Sequence, residues 1–121
     1  MAHSAFRSRS YQRFPATYPV IFGGAPFVGE GTIFNLSLTG CSVACDRTVL
    51  MGSYIKLKVF LPESAASVFI ELGTIRWVRE SIFGVEFIRL PTIARQQLDQ
   101  LADNHLAALL QHSSPADSRN K

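Results

Sequence analysis

Tyr54-Ile55-Lys56-Leu57-Lys58-Val59-Phe60-Leu61 alternates apolar and polar residues along most of its length. Successive side chains of an extended chain point to opposite faces. Ile55, Leu57, Val59 and Leu61 therefore share one face, and Lys56 and Lys58 lie on the other, as in a half-buried β-strand. The flanking sequence repeats this grammar. Tyr18 to Phe22 and Phe27 to Leu36 are rich in β-branched and aromatic residues. Gly23-Gly24-Ala25-Pro26 between them is a turn signal, so the two runs predict an antiparallel hairpin. Ser42 to Cys45 reads as a third, short strand. Asp46-Arg47-Thr48 starts a loop, and Gly52 ends the apolar step Val49-Leu50-Met51. Past the quoted stretch, Pro62-Glu63-Ser64 turns the chain. Val68 to Arg79 is a long strand with Gly73 near its middle, a place for a bulge or bend. Glu80-Ser81 makes a tight connection, and Ile82 to Ile88 pairs back with Phe83, Val85 and Phe87 on one face.

The period changes after Pro91. Ala94, Leu98, Leu101, His105 and Leu109 follow three-to-four spacing, which predicts one amphipathic helix capped by Thr92 and ending near Gln111. The polar segment 112–121 is expected to be disordered. Six short strands with regular turn signals, then one helix, predict a mainly β fold: a six-stranded antiparallel β-barrel with a C-terminal α-helix covering one opening or edge. The domain comprises residues 14–111, preceded by a flexible basic arm over residues 1–13.

The chain has 121 residues, 47% of them hydrophobic and 17% charged. That supplies one real core and speaks against wholesale disorder. The formal net charge of +3 is too small to argue for nucleic acid by itself. Its distribution says more: Arg7, Arg9 and Arg13 all precede the first acidic residue, Glu30. A locally cationic arm favours an anionic partner. No run of apolar residues is long enough for a transmembrane helix, and the amino terminus lacks the apolar stretch of a secretory signal. The expected compartment is the cytoplasm, without membrane insertion. Cys41 and Cys45 point the same way on a strand with alpha carbons roughly 13 Å apart, too far for a disulfide, and read as buried thiols. His3, His105 and His112 stand at no ligand spacing, so no metal site is expected.

Two short motifs carry the functional signal. Arg9-Ser-Tyr-Gln-Arg13 places two guanidinium groups in the arm. Asn35-Leu-Ser37-Leu-Thr-Gly40 lies between two strands. On an extended chain Asn35 and Ser37 face one way, while Leu36 and Leu38 face the core. Gly40 either adopts a positive φ or permits close approach of a ligand. Together the motifs read as a site for a small purine-containing phosphate.

Arg9-x-x-x-Arg13 followed by Asn35-x-Ser37-x-x-Gly40 resembles the paired signature of PilZ domains, receptors for the bacterial second messenger cyclic di-GMP. The strand pattern, Ile75-Arg76-Trp77-Val78-Arg79 then Phe83-Gly84-Val85-Glu86-Phe87, and the closing helix extend the resemblance over about residues 7–110. The resemblance implies that Arg9 and Arg13 grip guanine and phosphate, and that Asn35, Ser37 and Gly40 form the opposing wall on the barrel surface. Some members carry an arginine immediately before the first motif and bind a stacked ligand pair. Here that position is Ser8, with Arg7 one residue further back, so one ligand and two are both compatible. The ligand is not a cofactor, and no cofactor is expected.

Arginine suits such a ligand because its planar fork donates paired hydrogen bonds to phosphate or to guanine O6 and N7, and its face stacks on a purine. Trp77, the only tryptophan, alternates with Ile75 and Arg79 on one strand face. Its ring either borders the ligand or packs the barrel or helix. The expected mechanism is an arm that orders over the ligand and so presents a surface to an unidentified effector protein. The alternative is a module of the same fold that binds proteins but not cyclic di-GMP. An oligonucleotide-binding barrel needs a basic groove with exposed aromatics, whereas most of the phenylalanines fall on apolar strand faces, so neither DNA nor RNA is expected as a partner. No nucleophile–base pair or phosphate-cradling glycine loop is present, and Glu71 and Glu86 read as outward strand residues. No enzyme activity is expected.

Overall fold

The computed structural model describes residues 17–24, 27–62 and 64–119. The arm with Arg7, Arg9 and Arg13 therefore lies outside the described residues. The chain forms six strands, β1 (Tyr18–Gly24), β2 (Phe27–Phe34), β3 (Gly40–Ala44), β4 (Tyr54–Leu61), β5 (Ala66–Arg79) and β6 (Ile82–Arg89), followed by one helix, α1 (Thr92–Arg119). The strands close into a barrel in the order β1-β2-β3-β6-β5-β4, with β4 returning to β1 and every pairing antiparallel.

The quoted stretch is β4, and its alternation decides its orientation. Ile55, Leu57, Val59 and Leu61 are buried, while Tyr54, Lys56 and Lys58 are exposed. Every strand contributes inward residues to one core, including Phe22, Ile33, Val43, Ile70, Ile75 and Phe83. Phe22 and Phe83 meet edge-on at 5.1 Å between ring centroids, a favoured aromatic geometry. Because the sheet is closed it has no edge to protect. Ala94 and Leu98 of α1 are instead incorporated in the core cluster, with Leu101 and Ala102 packed against it. The Gln97 side-chain amide donates to the Ser67 carbonyl at 3.0 Å and ties the helix to β5.

Gly73 sits where the sheet changes register. The β5–β6 pairing shifts between Leu72 and Gly73, and the β4–β5 pairing shifts between Ile55 and Leu57, opposite Gly73 and Ile70. Bulges of this kind sharpen the local twist and let a small barrel close.

Several sequence expectations need correction. β2 ends at Phe34 rather than Leu36, because Asn35 has φ 52° and leaves the strand. β3 begins at Gly40 and β5 at Ala66, each two residues earlier than read. The first helical turn closes with Arg95 N–H donating to the Pro91 carbonyl at 2.9 Å. Pro91 therefore stands at the cap position and Thr92 is the first helical residue. The helix also continues past Gln111 to Arg119. Continuing an existing helix avoids the cost of a new nucleus, and the run passes through Pro115, which contributes no N–H to the ladder.

Candidate functional site

The loop joining β2 to β3 is built around a buried hydroxyl. Ser37 N–H donates to the Gly40 carbonyl at 2.9 Å. The Ser37 Oγ accepts from the N–H groups of Thr39 and Gly40, donates to the Gly40 carbonyl, each at 3.2 Å, and lies 3.1 Å from Thr39 Oγ1. Ser37 is only 2% exposed. Asn35, by contrast, is exposed and in the left-handed region, which asparagine tolerates better than most residues. The positive φ breaks the strand alternation. Asn35 and Ser37 consequently do not face the same way: Asn35 points to the surface, and Ser37 staples the turn behind it. Leu36 is fully buried and Leu38 packs against the core, as the alternation predicts for those two.

Gly40 has no positive φ. A Cβ there would collide with the Val85 carbonyl of β6. The glycine is needed for close approach of two backbones, where Gly40 pairs with Glu86.

Asn35 stands on the rim of a groove of about 630 Å³ on the barrel wall, lined also by Thr39, Cys41, Ser42, Arg76, Trp77, Gly84, Val85 and Glu86. A bulge in β5 brings Trp77 here. Ile75 pairs with Val85 but Trp77 pairs with Gly84, so Arg76 is the extra residue. Ile75 is fully buried and Trp77 is 37% exposed. The expected shared face of Ile75, Trp77 and Arg79 is thus broken: Ile75 fills the core, and Trp77 and Arg79 lie outside it, with the Arg79 guanidinium 5.3 Å from the Trp77 ring centroid. This cation–π contact fixes one edge of the groove. Arg76 Nε donates to Glu86 Oε1 at 3.0 Å, a surface pair that neutralises the acid inside the groove.

Register places the start of the described chain nearby. Tyr18 pairs with Ile33, so Thr17 comes level with Phe34, which pairs with Ser42, which pairs with Gly84, which pairs with Trp77. Thr17 and the groove thus lie along one transverse row of the barrel.

Thr39, Ser42 and Gly84 were not singled out in the sequence. The available signal was Gly84, a glycine inside an otherwise apolar strand, which marks a close approach. Glu71 and Glu86 are outward strand residues, as read, and Glu71 lies 3.9 Å from Arg89. Cys41 and Cys45 are buried and form no disulfide, and the Cys45 thiol donates to the Arg47 carbonyl. Among the described residues no group of three or more His, Cys, Asp or Glu is arranged to hold a metal, and no helix is long and apolar enough to cross a membrane.

Comparison with known proteins agrees with this architecture. The PilZ domain family matches residues 7–104, a span that includes both motifs. Among solved structures, the inhibitor of motility MotI/DgrA of Bacillus subtilis superposes with a TM-score of 0.67 at 19% identity, over 79% of this chain and 50% of that one. The PilZ domain of CeSA from a cellulose-synthesizing bacterium superposes with a TM-score of 0.62 at 16% identity, over 76% of this chain and 95% of that one. The chain thus spans half the length of the motility inhibitor. No curated protein matches it.

Proposed function

The chain belongs to the PilZ domain family, and we propose that it is a cytoplasmic receptor that binds cyclic di-GMP between its N-terminal arm and the groove bordered by Asn35 and Trp77. PilZ domains are regulatory binding modules for this second messenger rather than enzymes. The observation that carries the reading is the meeting of Asn35, from the loop after β2, with Trp77, from the β5 bulge, across one groove on the outer wall.

The roles follow from the chemistry of the two sides. One face of the Trp77 ring rests on Gly84 and Arg79 lies over the ring, so a guanine stacks there as the Arg79 guanidinium swings out to a ligand phosphate. The Asn35 amide oxygen accepts from guanine N1 or N2, and its amide nitrogen donates to an acceptor of the ligand. Gly40 supports the wall indirectly, letting β3 pack tightly on β6 beneath the groove. Ser37 acts by shaping the loop that presents Asn35. The guanidinium groups of Arg9 and Arg13 supply the cationic half, gripping phosphate and the guanine O6 and N7 edge. Chain reach permits this. Arg13 is four residues from Thr17, a tether of up to about 14 Å, and Arg9 is eight residues away, up to about 29 Å. Arg7 adds charge at the same end and bears on whether one ligand or a stacked pair is held.

Binding orders the arm over the groove, and the altered surface is read by an effector protein. Ordering that segment consumes part of the interaction energy. Calorimetric titration with cyclic di-GMP tests the receptor reading. Wild-type protein is expected to bind, and Arg9→Ala and Arg13→Ala are each expected to lose about 1–3 kcal/mol, the discrimination of one bidentate contact. Absence of heat with folded wild-type protein would instead favour an interaction module that binds no dinucleotide. Hydrogen exchange across residues 5–14 tests the relay, with slowing expected at saturating ligand and an unchanged rate contradicting it.

A further inference from the structure

The far side of the barrel from the groove carries a charge pattern that fits a second copy of itself. On the outer face, Glu30 of β2 pairs with Ile21 of β1, and Ile21 pairs with Lys58 of β4, so the three stand side by side in one row. The neighbouring row runs Val28, Gly23, Lys56. Ile21 is 43% exposed and Val28 66%, and Glu30, Lys56 and Lys58 are exposed as well. Among the described residues Glu30 makes no ion pair, and the Lys58 ammonium rests 5.7 Å from the Phe60 ring centroid. Glu30 and Lys58 stand two strands apart, roughly 9.6 Å between backbones, with Ile21 between them, and they do not pair with each other: the ammonium turns to Phe60 instead.

We infer that this face forms a two-fold interface between two copies of the chain, with Ile21 at its centre. The charges select the axis. A two-fold lying along β1 through Ile21 exchanges left and right in each row, which sets Glu30 of each copy against Lys58 of the other. The same operation lays Val28 on the aliphatic stem of Lys56 and Ile21 on Ile21. A two-fold across the strands would instead set Glu30 on Glu30 and Lys58 on Lys58. The surface beside Glu30 is concave and carries net negative charge. A hollow of about 540 Å³ there is lined by Ile21, Val28, Gly29, Glu30, Asp46 and Arg47. Each copy's Lys58 ammonium therefore meets Glu30 at a hollow whose three charged lining residues, Glu30, Asp46 and Arg47, sum to one negative charge. Such an interface is isologous, and each contact occurs twice. β1 and β4 lie across the closed barrel from the β3–β6 wall, so dimerisation leaves the dinucleotide groove open and does not depend on it.

Sedimentation velocity of the full chain from micromolar to millimolar concentration, without dinucleotide, tests the inference. A concentration-dependent dimer is expected, weakened by salt. Glu30→Lys and Lys58→Glu should each weaken it by about tenfold or more, because each reversal replaces two attractions by two repulsions. The combined Glu30→Lys, Lys58→Glu variant should restore it, which a merely structural role for either residue would not do. Circular dichroism and thermal melts of all variants control for folding. A wild-type chain monomeric at millimolar concentration, single reversals that leave the dimer unchanged, or a double variant that stays monomeric would each overturn the interface.

Discussion

The Trp77 indole lies against the backbone of Gly84 on the neighbouring strand, so closely that a methyl group at Gly84 would overlap the ring at Nε1, Cε2 and Cδ1. The pairing explains how a bulky aromatic ring is held on the outside of a barrel. The β5 bulge turns it outward, the missing side chain of Gly84 gives it a bed, and Arg79 lies over its face.

Gly84→Ala should therefore displace Trp77 without unfolding the domain, since the ring is partly exposed and free to swing away. Dinucleotide affinity is expected to fall by about 1–3 kcal/mol, close to the loss for Trp77→Ala, because both remove the same stacking platform. The unfolding free energy should change by less than about 1 kcal/mol. Trp77 is the only tryptophan, so intrinsic fluorescence reports its displacement directly, alongside calorimetric titration. Full affinity in Gly84→Ala with a shifted emission maximum would remove Trp77 from the site.

Asn35 serves two purposes that substitution separates. Its φ of 52° is strained for most side chains and free of strain for glycine. Asn35→Gly is expected to keep the stability of the parent or raise it slightly, while Asn35→Ala loses about 1 kcal/mol in urea unfolding. Both should weaken dinucleotide binding by similar amounts, because both delete the amide. If Asn35→Gly binds as tightly as the parent, the residue serves the turn alone.

Ser37 is expected to behave in the opposite way. Its hydroxyl holds the N–H groups of Thr39 and Gly40 and the Gly40 carbonyl in a buried turn. Ser37→Ala leaves the Thr39 and Gly40 N–H groups short of an acceptor, while the Gly40 carbonyl keeps the Ser37 backbone N–H, and should cost about 1–3 kcal/mol of stability. Its effect on binding then follows from loosening the loop that carries Asn35. Equilibrium unfolding with an unchanged denaturant slope checks the first part. Titration at low temperature, where the loop is most ordered, should recover part of the affinity.

The strands, their order along the chain and the closing helix were readable from period-two and three-to-four spacing, because burial on one face imposes that spacing on the sequence. The motifs were readable as well, but the orientation of their residues was not. Alternation puts Asn35 and Ser37 on one face only if the backbone stays extended, and a single left-handed residue reverses the argument. Trp77 and Ile75 were likewise placed together by a count of two that the extra residue Arg76 invalidates. Bulges and positive φ angles depend on how neighbouring strands must curve to close the barrel, a long-range requirement with little local trace beyond a glycine. The same holds for Gly84, whose role is visible only once β5 lies beside it.

The helix should prove integral to the barrel rather than an appendage. Leu98 is 1% exposed and belongs to the core cluster, although it lies on a separate element from every strand. Leu98→Ala is expected to cost about 2–5 kcal/mol, as for other buried leucines. That is a large share of the stability of a domain of this size, typically about 5–15 kcal/mol. Gln97→Ala, which removes only the bond to the Ser67 carbonyl, should cost about 0.5–1.5 kcal/mol. Urea unfolding followed by both tryptophan fluorescence and far-ultraviolet circular dichroism distinguishes the cases. For a helix that completes the core, the two signals remain coincident in the parent and in both variants. A helical signal lost before the Trp77 signal in the parent protein would show that α1 folds and unfolds apart from the barrel, and the placement of Leu98 in a common core would be wrong.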